Sequence, residues 1–254
     1  MRKMLIAGNW KMNKLRNEAS DLVGEIVGGV HRHDEVDVAV CPPFVYLDMA
    51  VSVCRGSGVD VGAQNLYYEN EGAYTGEVSP PMLKELGCRY VIVGHSERRN
   101  LFGETDRIVN KKLRASYSAG LVPILCVGES LEQRESGRAF DVLRGQITYG
   151  FEGIDDECIA STVIAYEPVW AIGTGKSASA AQAEEAHAYI RERVNDFTRG
   201  VIAESIRILY GGSVKTGNAL DLLRQENIDG ALIGGASLSA ASFCEIVRIA
   251  EALK

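Results

Sequence analysis

An eightfold alternation of short apolar runs with amphipathic stretches constrains this chain more than any other feature. The runs are Met4 to Ala7, Val36 to Cys41, Val59 to Ala63, Tyr90 to Val93, Leu121 to Val127, Thr162 to Tyr166, Ile206 to Tyr210 and Ala231 to Ile233. Each is short and rich in β-branched or small residues, the pattern of a parallel strand covered on both faces. Helical periodicity fills the gaps, over Leu15 to Val30, Phe44 to Cys54, Pro80 to Leu86, Asp106 to Ala119, Leu131 to Tyr149, Ala180 to Phe197, Lys215 to Gln225 and Ala240 to Leu253. Ser79 is placed to cap the helix whose first turn holds Pro80 and Pro81, and Gly87 to end it in the left-handed region. Gly120 ends the helix after Thr105 in the same way, and Ser179 with Gln182 forms a capping box. No Ser/Gly linker, proline-rich segment or low-complexity run divides the units, and a doubly wound sheet normally needs fewer of them. The expected fold is therefore α/β, a closed (β/α)8 barrel with residues 1–254 as a single domain.

Composition narrows the partners. Acidic residues outnumber basic ones by 34 to 27, a net charge of −7, and no basic stripe is interleaved with aromatics, so a nucleic-acid partner is not expected. The N-terminal apolar run is far too short for a signal sequence or membrane span, which makes a cytoplasmic protein the expectation. The six cysteines lack C-x-x-C spacing and read as free thiols. No cluster of His and carboxylate ligands marks a metal site, and no cofactor is expected.

Side chains at the C-terminal ends of barrel strands converge on one mouth whatever their separation in sequence. The richest such end is Val163-Ile164-Ala165-Tyr166-Glu167-Pro168-Val169-Trp170-Ala171-Ile172-Gly173-Thr174-Gly175-Lys176. Here a buried strand delivers a carboxylate, Pro168 keeps that residue's backbone extended, and a glycine-hinged loop follows. Glu167 reads as an acid/base group with a lid over residues 168–178. The first strand delivers Asn9 and Lys11, the fourth His95 and Glu97. The seventh and eighth deliver Gly211-Gly212-Ser213 and Gly234-Gly235-Ala236-Ser237, two glycine pairs that match the phosphate site typical of such barrels. Singly, each has a plainer reading: a surface turn at Lys11, a core histidine at His95, helix-entry turns at the glycines. Cys126 and Glu129, after the fifth strand, read as packing and a surface acid.

The segments Ala7-Gly8-Asn9-Trp10-Lys11-Met12-Asn13, Gly94-His95-Ser96-Glu97-Arg98-Arg99, Ala165 to Lys176 and Tyr210-Gly211-Gly212-Ser213-Val214 together resemble the triosephosphate isomerase family, in its order and across the whole length. The resemblance implies a TIM barrel that interconverts dihydroxyacetone phosphate and D-glyceraldehyde 3-phosphate through an enediolate, without a cofactor. It assigns Glu167 as base, His95 as neutral electrophile and proton shuttle, and Asn9 and Lys11 as electrostatic stabilisers, with Glu97 as the acid beside them. Backbone N–H groups at Gly173, Ser213, Gly234 and Gly235 would hold the phosphate. Pro168, Val169, Trp170, Ala171, Ile172, Gly173, Thr174, Gly175, Lys176, Ser177 and Ala178 would form the lid, whose closure would strengthen Glu167 by desolvating it. Ser177 departs from the threonine common in the family.

One connection, residues 64–79, exceeds the usual βα loop of about 2–6 residues. Its Tyr67, Tyr68 and Tyr74 suggest docking against another surface. The resemblance adds a homodimer built through this loop, with Thr75 and Glu77 matching the family's pattern. Two rival classes weigh less. A Schiff-base aldolase needs a lysine inside a middle strand, and strands five to seven have none. A phosphate-binding scaffold leaves Glu167, His95 and the lid without a purpose.

Overall fold

Strand pairing closes on itself in the computed structural model, which describes residues 2–32, 34–171, 178–200 and 202–254. The strands are β1 (Met4–Asn9), β2 (Val36–Cys41), β3 (Val59–Ala63), β4 (Tyr90–Val93), β5 (Val122–Val127), β6 (Val163–Tyr166), β7 (Arg207–Tyr210) and β8 (Gly230–Ile233). They pair in sequence order as a closed parallel barrel, with Leu5 opposite Asp37 on one side and Gly230 on the other. This is the expected (β/α)8 architecture.

Strand alternation sorts the apolar side chains into two layers. Leu5, Ala7, Tyr90, Ile92, Ile124, Cys126, Val163, Ala165, Leu209 and Leu232 fill the barrel interior. Their neighbours, among them Ile6, Val91, Leu125, Ile164 and Ile208, face outward into the larger core beneath the helices. Those helices are α1 (Arg16–Gly29), α2 (Leu47–Cys54), α3 (Pro80–Leu86), α4 (Ser96–Phe102), α5 (Asp106–Ser118), α6 (Leu131–Glu135), α7 (Ala139–Gly150), α8 (Asp156–Ala160), α9 (Ala180–Phe197), α10 (Thr216–Leu223) and α11 (Ala240–Ala252). No helix among the described residues is long and apolar enough to cross a membrane.

Four local outcomes differ from the sequence expectation. Helix α4 was not expected, because Ser-Glu-Arg-Arg-Asn-Leu-Phe buries only Ser96 and has no apolar stripe. The stretch 131–149 is two helices, parted at Gly137, whose φ of 74° ends the first. Helix α8 is a five-residue turn capped by Asp155, which accepts the Cys158 N–H at 2.8 Å. Ser79 stands at the N-cap of α3 but makes no side-chain bond there, and its buried hydroxyl has no partner among the described residues. Pro80 and Pro81 supply no N–H for it to accept. The other boundaries follow the sequence: Gly87 ends α3 at φ 99°, and Ser179 and Gln182 exchange bonds of 3.2 and 3.0 Å at the start of α9.

The 64–79 connection is ordered by its own contacts. Tyr67 N–H donates to Val78 O at 2.8 Å. The Tyr67 ring lies 4.3 Å from Tyr68 and 4.5 Å from Tyr74. Tyr67 and Tyr68 stack at the loop's base, Tyr74 folds back onto Tyr67, and the exposed stretch is Glu69 to Glu77, including Tyr74, Thr75 and Glu77.

Candidate active site

Strand parity carries side chains to the mouth of the barrel. In β1 the inward series Leu5, Ala7 continues to Asn9, and in β6 the series Val163, Ala165 continues to Glu167. The same counting puts Gly211 above Leu209 and Gly234 above Leu232. For β4 it would put residue 94, not 95, at the mouth. Gly94 breaks the count: its φ of 70° turns the chain, and His95 becomes the N-cap of α4 with its ring facing the cavity. A side chain at 94 would meet Val109 at 2.9 Å and Arg99 at 3.0 Å, so the turn needs glycine.

These residues border one cavity of about 470 Å³, lined by Asn9, Lys11, His95, Glu167, Ser213, Gly234 and Gly235 among others. Seven of the sequence-predicted site residues thus meet. Glu97 stands outside this wall, behind Lys11, and its Oε1 accepts from Lys11 Nζ at 2.6 Å. Residues 172–177 lie outside the described residues, and with them the expected phosphate contact at Gly173 and the lid positions Ile172, Thr174, Gly175, Lys176 and Ser177. The residues on either side are described: Pro168 leads into a 3-10 turn at Val169–Ala171, and Ala178 precedes the Ser179 cap.

Glu167 is 2% exposed, and its carboxylate accepts three bonds. Ser96 N–H donates to Oε2 at 2.9 Å, Ser96 Oγ to Oε1 at 3.1 Å, and His95 Nε2 lies 3.0 Å from Oε1. Burial raises the carboxyl's pKa, but His95 and Ser96 favour the charged form more strongly and the net direction is down. Burial alone would make Glu167 a stronger base, and in this arrangement the hydrogen bonds oppose it.

The His95 ring has its tautomer set by α4. Nδ1 accepts the Glu97 N–H at 3.2 Å, which leaves the proton of a neutral ring on Nε2, facing Glu167. Burial lowers the imidazole's pKa, yet the adjoining Glu167 carboxylate raises it further, for a net upward direction; Lys11 opposes this. The expected bias toward the neutral ring is thus outweighed while Glu167 rests against Nε2.

Lys11 adopts φ 51°, a left-handed conformation uncommon for a residue with a side chain. Two contacts fix it. Its N–H donates to Asn9 Oδ1 at 3.0 Å, and its carbonyl accepts from Gln64 Nε2 at 2.9 Å, the same amide nitrogen that reaches Cys41 O at 2.8 Å. Gln64 was legible only as the first residue of a long loop. In the loop after β7, a side chain at 212 would meet the Tyr210 hydroxyl at 2.3 Å, and Ser213 Oγ donates to Ala171 O at 2.9 Å, tying this loop to the 3-10 turn after β6.

Glu129 is not a surface acid. It is fully buried, and Oε1 accepts from Tyr166 Oη at 3.0 Å, Trp170 Nε1 at 2.9 Å and Arg134 at 3.1 Å, while its carbonyl accepts the Val169 N–H at 3.1 Å. Position 129 carries no local signal of this, because every partner except Arg134 comes from β6 and the turn after it.

Comparison with known proteins agrees with the geometry. The family model described as Triosephosphate isomerase matches residues 4–250. The chain is 53% identical over 248 residues to the triosephosphate isomerase of Syntrophotalea carbinolica, covering 98% of each chain. It is 53% identical over 249 residues to that of Rhodopirellula baltica, again covering 98% of each. The protein of the same name from Alkaliphilus oremlandii is 51% identical over 248 residues, covering 98% of this chain and 100% of the relative.

Proposed function

Because the chain belongs to the triosephosphate isomerase family, we propose that its barrel mouth interconverts dihydroxyacetone phosphate and D-glyceraldehyde 3-phosphate with Glu167 as the base. One observation carries the reading: a buried carboxylate and an imidazole Nε2, 3.0 Å apart, face the same cavity as Lys11. Glu167 leaves Ser96, removes the proton from the carbon beside the carbonyl, and returns it to the neighbouring carbon. Leaving Ser96 and His95 removes the bonds that depress its pKa, so the carboxylate becomes more basic as it meets substrate. His95 Nε2–H donates to the carbonyl oxygen, and the ring then collects the hydroxyl proton of the adjacent carbon. With the carboxylate gone, burial, the largest influence on the ring, favours the neutral form this step needs, over the smaller opposing pull of Glu97. Asn9 and Lys11 stabilise the enediolate oxygen, an effect strongest in a water-poor site. Glu97 sets the Lys11 ammonium from behind. N–H groups at Ser213, Gly234, Gly235 and Gly173 hold the phosphate together with Lys11, and a lid over 168–178 protects the enediolate from water.

The active form is a homodimer. Met12, at 96% exposed, and Phe102, at 67%, rim a groove of about 250 Å³ that also touches Lys11, His95 and Glu97. Exposed apolar side chains around such a groove favour a partner surface, and the proposed occupant is the 64–79 loop of a second copy, with Thr75 and Glu77 at its tip.

A coupled assay started from either triose phosphate tests the activity. Glu167→Asp, which draws the carboxylate back by one methylene, is expected to lower kcat by about 10²-fold or more with little change in KM. Near-normal turnover in that variant removes Glu167 from its role.

A further inference from the structure

Glu167 is tied to the exit of β5 on both sides. Its N–H donates to Val127 O at 2.7 Å, and the Val169 N–H donates to Glu129 O at 3.1 Å. Between those two acceptors lies Gly128. Alternate residues of a parallel strand send their backbone groups to opposite neighbours, and Val122 N–H donates to Arg89 O, so the even positions of β5 face β4. But β4 pairs no further than Val93 with Leu125, since the chain turns off at Gly94 into α4. The N–H and C=O of Gly128 would therefore lack a strand partner.

One side chain supplies both bonds. From α7, the Gln146 amide accepts the Gly128 N–H at 2.7 Å and donates to Gly128 O at 3.1 Å, as a neighbouring peptide would. Gly128 in turn presses on the Glu167 backbone: a Cβ at 128 would lie 1.8 Å from Glu167 O and 3.2 Å from its Cα. A tilt of the Gly128 peptide therefore displaces Glu167.

We propose that Gln146 is a positioning residue for the isomerisation, holding the Gly128 peptide so that Glu167 leaves β6 at the angle its proton transfer requires. This rests on the reading of Glu167 as base. Gln146 also borders a polar cavity of about 460 Å³, so water can reach Gly128 when the amide is removed, and the fold survives its loss while the angle does not.

The test compares Gln146→Met, which keeps length and loses both bonds, with Gln146→Glu, which keeps the acceptor and turns a second oxygen toward Gly128 O. Steady-state kinetics with either triose phosphate, competitive inhibition by inorganic phosphate and thermal melting are measured on both, with Glu167→Asp alongside. The expected result is a kcat lowered about 10-fold or more, with KM and phosphate inhibition within about twofold of the parent. A kcat within about twofold of the parent in a folded variant overturns the proposal, as does a parallel loss of kcat and phosphate affinity, the mark of general damage. Should one variant fail to fold, the other decides. Normal turnover in Glu167→Asp defeats the base assignment itself, whereas collapse there beside normal turnover in the Gln146 variants defeats only the role of Gln146.

Discussion

Ser96 does for Glu167 what no residue adjacent in sequence does: it supplies two of the three bonds that keep a buried carboxylate charged. A carboxyl whose pKa is depressed by folding adds stability above its unfolded value, near 4.3, and loses it as pH falls through the folded value. Ser96→Ala removes the hydroxyl bond and keeps the N–H bond. The folded pKa of Glu167 then rises, and the acid limb of the kcat/KM profile moves to higher pH. A pH–rate profile checks this, and an unmoved limb would show that the hydroxyl does not stabilise the charged form. At this scale legibility followed parity. Asn9 and Glu167 continue inward series along their strands, and Gly94 is visible as the residue that brings His95 into line. Gln64, Ser96, Glu129 and Gln146 act through hydrogen bonds formed across space, which no local pattern encodes.

Helix α9 packs His187 behind the strands that bear the site. The ring is fully buried, 5.7 Å from Tyr166 and 6.3 Å from Tyr210, with Nδ1 3.3 Å from Asn227 O. Burial drives its pKa down to about 3. The unfolded chain takes up that proton near pH 6.5 and the folded chain does not, so this stabilisation is present at neutral pH and declines as pH falls toward the folded value. Between pH 7 and 4.5 the decline is about 2–3 kcal/mol, roughly two pH units at ~1.36 kcal/mol each. In His187→Gln the gap between urea-unfolding free energies at pH 7 and pH 4.5 should narrow by about that amount; an unchanged gap would mean that other groups set the acid sensitivity. The α9 span itself was readable, since a capping box opens it and Ala183, Ala186 and Ile190 continue a buried stripe. Helix α4 was not, because its purpose is to present N–H groups to His95 and Glu167 rather than to bury an apolar face.

At the scale of the molecule, eight βα units specify a closed barrel because each strand reads as covered on both faces, and closure brings together the strand ends that carry residues 9, 11, 95 and 167, with the turn at Gly94 needed to aim His95. Assembly is the part the alternation cannot encode, since it depends on the surface of a second chain. Shortening the 66–78 loop is expected to give a folded monomer with weak activity, measured by light scattering at several concentrations beside the triose phosphate assay. Full activity as a monomer would count against the proposed dimer. The root of that loop is Gln64, whose amide also pins the strained Lys11 backbone. If the proposed pairing holds, the segment each subunit offers its mate is rooted at the residue that fixes its own Lys11, so a change at position 64 would be felt at two mouths at once.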